Sequence, residues 1–377
     1  MKNIWPVIRN YIKKSDMFIL SIGIICTIYG MIMISSSYLG TPSQIIIQTI
    51  AMILGIFLFV VFSIVDVDII ADRSVLLYIF SILFISTLFI WGEEGDTGNS
   101  AWLRFGGIGV QPAEIVKIAY IIIQGRLMIV LQERDGINKP KSVVALLVVF
   151  MVIFGLIIVS SSDLGSALVY FFVFAVMLFA GGLSLWWFLG GVAAIAAVIP
   201  IAWKFVLRED QKARILAPYD PSVDPTGLGV RWQANQSTIA ISTGGFSGQG
   251  LGKGEMTQTG MVPAQHTDFI FTVAGEEFGF IGCMLVLILL IALIVRCFYV
   301  AVKCNNALGY LVCSGIGAMF IAQVLENIGM CLGLTPVIGL TLPFLSYGGS
   351  SVLTNFAALG IVSGIKMRSR SQHIGNY

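Results

Sequence analysis

Charge is scarce in this chain. Lys, Arg, Asp and Glu make up 11% of its 377 residues, there are two histidines, and no low-complexity tail interrupts it. A net charge of +2 is small and implies no nucleic-acid or acidic-protein partner. The six cysteines, Cys26, Cys283, Cys297, Cys304, Cys313 and Cys331, have neither metal-like nor redox-like spacing. They lie in or beside apolar runs and read as small packing residues that need no disulfide.

What is abundant is apolar surface: 57% of residues are hydrophobic and the mean hydropathy is +0.92, outside the range of soluble domains. Runs long enough to cross about 30 Å of hydrocarbon recur along the chain, and each must be helical because lipid offers the backbone no hydrogen-bond partner. The sequence therefore predicts an all-α, polytopic membrane protein forming one unit over 1–377, with about ten spans at 17–37, 43–64, 74–91, 111–131, 142–160, 165–182, 184–206, 278–299, 307–331 and 349–367. The polar N-terminal stretch is too long to open a cleavable signal, so the first span is expected to stay in the protein. An even number of spans puts both termini on one side. The Lys and Arg positions make 1–16 and 368–377 cytoplasmic, leaving one large extracytoplasmic loop, 207–268, between the seventh and eighth spans.

Against this background each polar cluster calls for a reason. In the fourth span Gln111, Glu114, Lys117 and Gln124 follow at spacings of three, three and seven, which places them on one helical face. Glu114 and Lys117 can neutralise each other at i,i+3, either as a structural pair or as the wall of a hydrated substrate cavity. Asp163 either caps the sixth span or faces that cavity. Gln323, Glu326 and Asn327 read as inter-helix hydrogen bonding or as part of a site, since an intramembrane carboxylate is a functional candidate. The Gly-rich stretch 242–254 lacks the context of a nucleotide loop and is expected to be a flexible outer loop. Arg208, Arg214, Arg231 and Lys253 in the long loop have the chemistry to hold a pyrophosphate at the membrane surface, or else they meet lipid headgroups. Between 326 and 351 Pro and Gly crowd too densely for an ordinary span, which points to a protein-lined or water-lined break.

The segment 263–280 sets His266, Asp268, Glu276 and Glu277 among Phe, Ile, Val and Gly. Asp268, backed by Phe269 and Phe271, is either the cap of a helix starting at Phe269 or a general base at the junction of loop and membrane. Glu276 and Glu277 are expected near a turn at Gly275 or Gly279, with partners the sequence does not name.

These blocks together resemble the SEDS (shape, elongation, division and sporulation) family, the RodA and FtsW group of cell-wall glycosyltransferases. The similar stretches are 110–117 with its Gln-Pro-Ala-Glu and Lys, Asp163-Leu-Gly, 266–271 with His-Thr-Asp-Phe-Ile-Phe, the Glu-Asn of 326–327 and the Pro- and Gly-rich 335–351. The resemblance implies polymerisation of lipid II onto a nascent glycan strand at the outer face of the bacterial cytoplasmic membrane. Asp268 would then be the base, and Glu114, Lys117, Asp163, His266, Thr267, Glu326, Asn327 and Ser346 would support substrate or cavity. The leaving pyrophosphate would be stabilised by Arg, Lys or a divalent cation such as Mg or Mn. The resemblance further implies a class B penicillin-binding protein as partner, and leaves a lipid II flippase or a noncatalytic scaffold as alternatives. The chain departs from the family pattern at Ala264, where the family often has Glu, at Ser161 and Ser162, and at Ala101.

Overall fold

In the computed structural model the described residues are 5–38, 40–93, 100–105, 108–205, 207 and 209–374. All ten predicted runs are helical. Eight helices among the described residues are long and apolar enough to cross a bilayer. After the short α1 (Trp5–Lys14), they include α2 (Met17–Ser36), α3 (Pro42–Ile64), α8 (Pro140–Ser161), α10 (Leu185–Phe205), α14 (Ile270–Lys303), α15 (Ala307–Cys331) and α16 (Gly349–Ile374); the short α4 (Val67–Ala71) follows α3, and α5 (Ser74–Ser86) and α6 (Leu88–Trp91) share one crossing stretch. The other two runs are α7 (Pro112–Arg134), which is more charged, and α9 (Leu164–Ala180), which has 17 residues.

Local chemistry sets the helix starts. Thr41 and Gln44 form a reciprocal capping box with Pro42 at the first turn of α3. The Asn306 carboxamide caps α15 through the Leu308 N–H, and Pro112 opens α7. The only sheet among the described residues is a hairpin, β1 (Leu103–Phe105) on β2 (Ile108–Val110), with Leu103 opposite Val110. It leads into α7.

α15 and α16 form the centre of the bundle, with most of their spans buried. α16 lies along α3, and α15 lies between α14, α9 and α7. α10 is the opposite case, exposed along most of its length and joined to the rest near its start by a 3.1 Å hydrogen bond from the Trp187 indole to the Asn138 carbonyl. At the end of α14 remote from Asp268, the fully buried Asp16 meets Arg296 at 2.8 Å and Lys366 at 3.0 Å, tying the start of α2 to α14 and α16.

The connection expected as loop over 207–268 is largely structured, containing α11 (Glu209–Leu216), α12 (Trp232–Gly244) and α13 (Glu255–Thr259). The eighth span begins at Ile270 rather than 278 and is interrupted at Gly279 (φ 66°, ψ −158°). The interruption gives the Gly-rich stretch a structural role, since this loop packs its backbone against α14. At the break the Phe280 and Ile281 N–H groups donate to the Gly245 and Phe246 carbonyls, at 2.9 and 3.3 Å. In return the Glu276 and Glu277 carbonyls accept from the Gln249 and Gly250 N–H groups, at 2.9 and 3.0 Å. The segment 245–250 thus replaces the i→i−4 partners that a continuous helix would supply there. Gly248 (φ 79°) lies against this junction, and a Cβ on it would meet the Glu277 carbonyl. Gly248→Ala is expected to cost about 1–2 kcal/mol from the left-handed backbone alone, and more with the clash; the check is the thermal midpoint of detergent-solubilised protein by fluorescence-detected size exclusion.

Candidate active site

Asp268 sits just before α14. The chain reaches it through a tight turn in which Ala264 has φ 49° and its carbonyl accepts from the N–H groups of Thr267 (3.1 Å) and Phe269 (3.2 Å). Phe269 occupies the cap position and takes no side-chain cap, so Asp268 lies one residue outside the position the capping alternative required.

Three successive carbonyls of this turn are held from elsewhere. His266 O accepts from Tyr347 N at 2.9 Å, Thr267 O from the Ser346 hydroxyl at 2.6 Å, and Asp268 O from the Asn327 amide at 2.7 Å. Asn327 also donates to Leu340 O at 2.6 Å. Ser346 is fixed in turn: its hydroxyl accepts from Leu342 N at 2.8 Å, and its carbonyl accepts from the Gln48 amide at 3.0 Å. The non-helical segment between α15 and α16 therefore serves as a brace for the Asp268 turn. Its Ser346 and Tyr347 groups take protein partners, as buried polar groups require.

The turn opens onto a cavity of about 850 Å³. Asp268 and His266 line it together with Arg214, Gln265, Tyr38, Trp232 and Gln233. Arg231 lines a smaller adjoining recess shared with Arg214 and Asn235. The backbone at Arg231 is set by Asp224, whose carboxylate accepts from the N–H groups of Gly229 (2.8 Å) and Arg231 (3.1 Å). Burial works against ionisation of Asp224, but these bonds and that of the Thr226 hydroxyl outweigh it and hold its pKa below the ordinary value.

The other sequence candidates fall in different places. Lys253 is exposed and outside the cavity lining, and the Gly250 and Gly252 amides near it are engaged with α14. Arg208 lies outside the described residues. Thr267 contributes its carbonyl, and its hydroxyl turns back to Ala264 O at 3.1 Å. Glu326 is half-buried on α15.

Glu114 and Lys117 form a buried ion pair at 2.7 Å on α7, with side-chain exposures of 4% and 1%. Beside them Asp163 caps α9 through Ser166 N at 2.9 Å and also accepts from the Gln111 amide at 2.8 Å. This second cluster is packed in protein, and none of its members lines the Asp268 cavity. The structure thus gathers Asp268, His266 and Arg214 in one space, puts Asn327 and Ser346 behind them, and keeps Glu114, Lys117 and Asp163 as a separate network.

Sequence reasoning passed over Gln48, Gln265 and Tyr38. The isolated Gln48 within an apolar run was the one available signal for a buried polar role. Among the described residues no group of three or more His, Cys, Asp or Glu has metal-ligand geometry.

This arrangement has relatives. The FtsW/RodA/SpoVE cell cycle protein family matches over residues 16–371. The peptidoglycan glycosyltransferase MrdB of Escherichia coli K12 is 36% identical over 303 residues, covering 78% of this chain and 79% of that protein. A probable peptidoglycan glycosyltransferase FtsW of Geobacter metallireducens is 33% identical over 369 residues, covering 95% and 96%. Among solved structures, a chain from a peptidoglycan synthase complex that coordinates polymerization and crosslinking aligns with a TM-score of 0.80 at 29% identity, covering 95% of this chain and 99% of that one. The crystal structure of the Thermus thermophilus rod shape determining protein RodA aligns with a TM-score of 0.70 at 26% identity, covering 94% and 97%. Matched almost from end to end in sequence and in fold, the chain belongs to the FtsW/RodA/SpoVE family of cell cycle proteins.

Proposed function

We propose that the protein is a peptidoglycan glycosyltransferase that polymerises lipid II at the outer face of the bacterial cytoplasmic membrane, in partnership with a class B penicillin-binding protein. The observation that carries this reading is Asp268 itself, a carboxylate on a three-point-braced turn, facing a cavity that also holds Arg214.

Asp268 takes the proton of the acceptor sugar hydroxyl as that oxygen attacks the anomeric carbon of the donor. The new carbon–oxygen bond forms as the bond to the lipid pyrophosphate breaks, with inversion. One base suffices, because pyrophosphate leaves without being protonated. Arg214 at the cavity, with Arg231 beside it, supplies the charge that the leaving group needs. A divalent cation would add to that charge, held by the substrate phosphates, since among the described residues no group of three or more His, Cys, Asp or Glu offers it a site.

Purified protein in nanodiscs, given lipid II and the partner transpeptidase, is expected to yield glycan polymers on gels. Translocation of lipid II without polymer would replace this reading with the flippase, and polymerisation only by the partner would replace it with the scaffold.

A further inference from the structure

Two buried carboxylates take no part in the chemistry above. Glu276 is fully buried on α14, about 9 Å along the helix axis from its start at Ile270 at 1.5 Å per residue. Its carboxylate takes the start of α13 in a bidentate grip: one oxygen accepts from Met256 N at 2.8 Å, the other from Thr257 N at 2.8 Å and from the Thr257 hydroxyl. Gly254 leaves room for it, since a Cβ there would lie 2.8 Å from a Glu276 oxygen. Glu277, next along, accepts from the Ser36 hydroxyl at the end of α2, from Gly252 N at 3.1 Å and from the Gln258 amide at 3.3 Å.

The Glu276 connection continues to the cavity. The Thr257 carbonyl accepts from the Gln265 amide at 3.1 Å and from Tyr38 N at 3.3 Å. Both Gln265 and Tyr38 line the space in front of Asp268, and Gln265 is three residues before it. Charge-assisted bonds of this kind are shorter and stronger than neutral ones, so a buried carboxylate with three donors gives the cavity wall a fixed reference on the same helix that Asp268 precedes.

We propose that Glu276 is a positioning residue for glycosyl transfer, holding the Tyr38 and Gln265 wall of the cavity in register with Asp268 through Thr257. The inference rests on the reading of Asp268 as the base. Replacing the carboxylate by an amide brings an NH₂ group against the N–H donors of α13. The wall then loosens while the substrate's anion contacts at Arg214 stay in place.

The test is a double-mutant cycle on lipid II polymerisation per folded molecule, with folded protein counted by size exclusion. Glu276→Gln is expected to lower kcat about tenfold, the equivalent of ~1.4 kcal/mol, with KM changed less than about twofold. Gln265→Ala should lower kcat similarly, and the double variant no further than the worse single, because both break one connection. Thr257→Ser, which keeps both donors, should stay near wild type, whereas Thr257→Val should fall. If Glu276→Gln does not fold, Thr257→Val, Thr257→Ser and Gln265→Ala carry the same comparison.

An unchanged kcat per folded molecule in Glu276→Gln, or in Thr257→Val and Gln265→Ala where it does not fold, overturns the positioning role, as do additive losses. Wild-type turnover in Asp268→Ala overturns the base reading and this inference with it; an inactive Asp268→Ala beside a fully active Glu276→Gln overturns this inference alone.

Discussion

Asp268→Asn is expected to abolish measurable polymerisation while leaving folding intact. A positioned general base contributes about 10²–10⁴-fold, so a loss near a thousandfold, ~4 kcal/mol of transition-state stabilisation, is the central expectation. The amide is nearly isosteric and still able to hydrogen-bond, so the side chain's packing survives. The turn is held through the carbonyls of His266, Thr267 and Asp268, all of them backbone groups that the substitution leaves in place. The variant should therefore elute, melt and bind lipid II like wild type, and differ only in the gel assay of glycan products. Turnover within about tenfold of wild type would place the proton acceptor elsewhere in the cavity.

The second large effect concerns stability. Lys117→Met removes the cation from a pair buried to 1% and 4% side-chain exposure and leaves Glu114 without it, beside Asp163. Breaking a buried pair from one side costs about 3–5 kcal/mol, whereas replacing both partners by groups of similar volume is often close to neutral. Lys117→Met should thus lower the thermal midpoint and the yield of monodisperse protein sharply, and Glu114→Gln/Lys117→Met should recover most of both. A double variant as unstable as the sum of the singles would mean that the two side chains contribute independently, and would refute the pairing.

The sequence made some of this readable because the interactions are local. Glu114 and Lys117 stand three residues apart, so their pairing follows from helix geometry; the Asp163 cap spans the same distance. Asp268 was open between cap and base on residue chemistry, and the family resemblance tilted that balance before the structure put Phe269, not Asp268, at the cap position.

What stayed hidden depends on distant partners. Asn327 was recognisable as an intramembrane polar residue, but the carbonyl it holds at Asp268 is 59 residues away. Glu277 finds the Ser36 hydroxyl across 241 residues. The early start of α14 was missed for the same reason: two adjacent carboxylates look foreign to a membrane helix until the donors of 252–258 are in place. The Gly-rich stretch misled in a related way, since glycines that permit a close backbone approach look the same in sequence as glycines that permit motion.

The exchange of hydrogen bonds at Gly279 also makes α14 dependent on the segment that precedes it. The carbonyls of Glu276 and Glu277 and the N–H groups of Phe280 and Ile281 are completed only by 245–250. An α14 that entered lipid at full length before that segment docked would carry four unsatisfied backbone groups, each costing several kcal/mol in hydrocarbon. The portion whose backbone is complete without that segment is the one beyond the break, nearly the 278–299 run that hydropathy alone picks out. The first turns of α14, and Asp268 ahead of them, therefore share one hydrogen-bonded unit with the 245–250 segment, so a change in that segment reaches the candidate catalytic turn through the backbone.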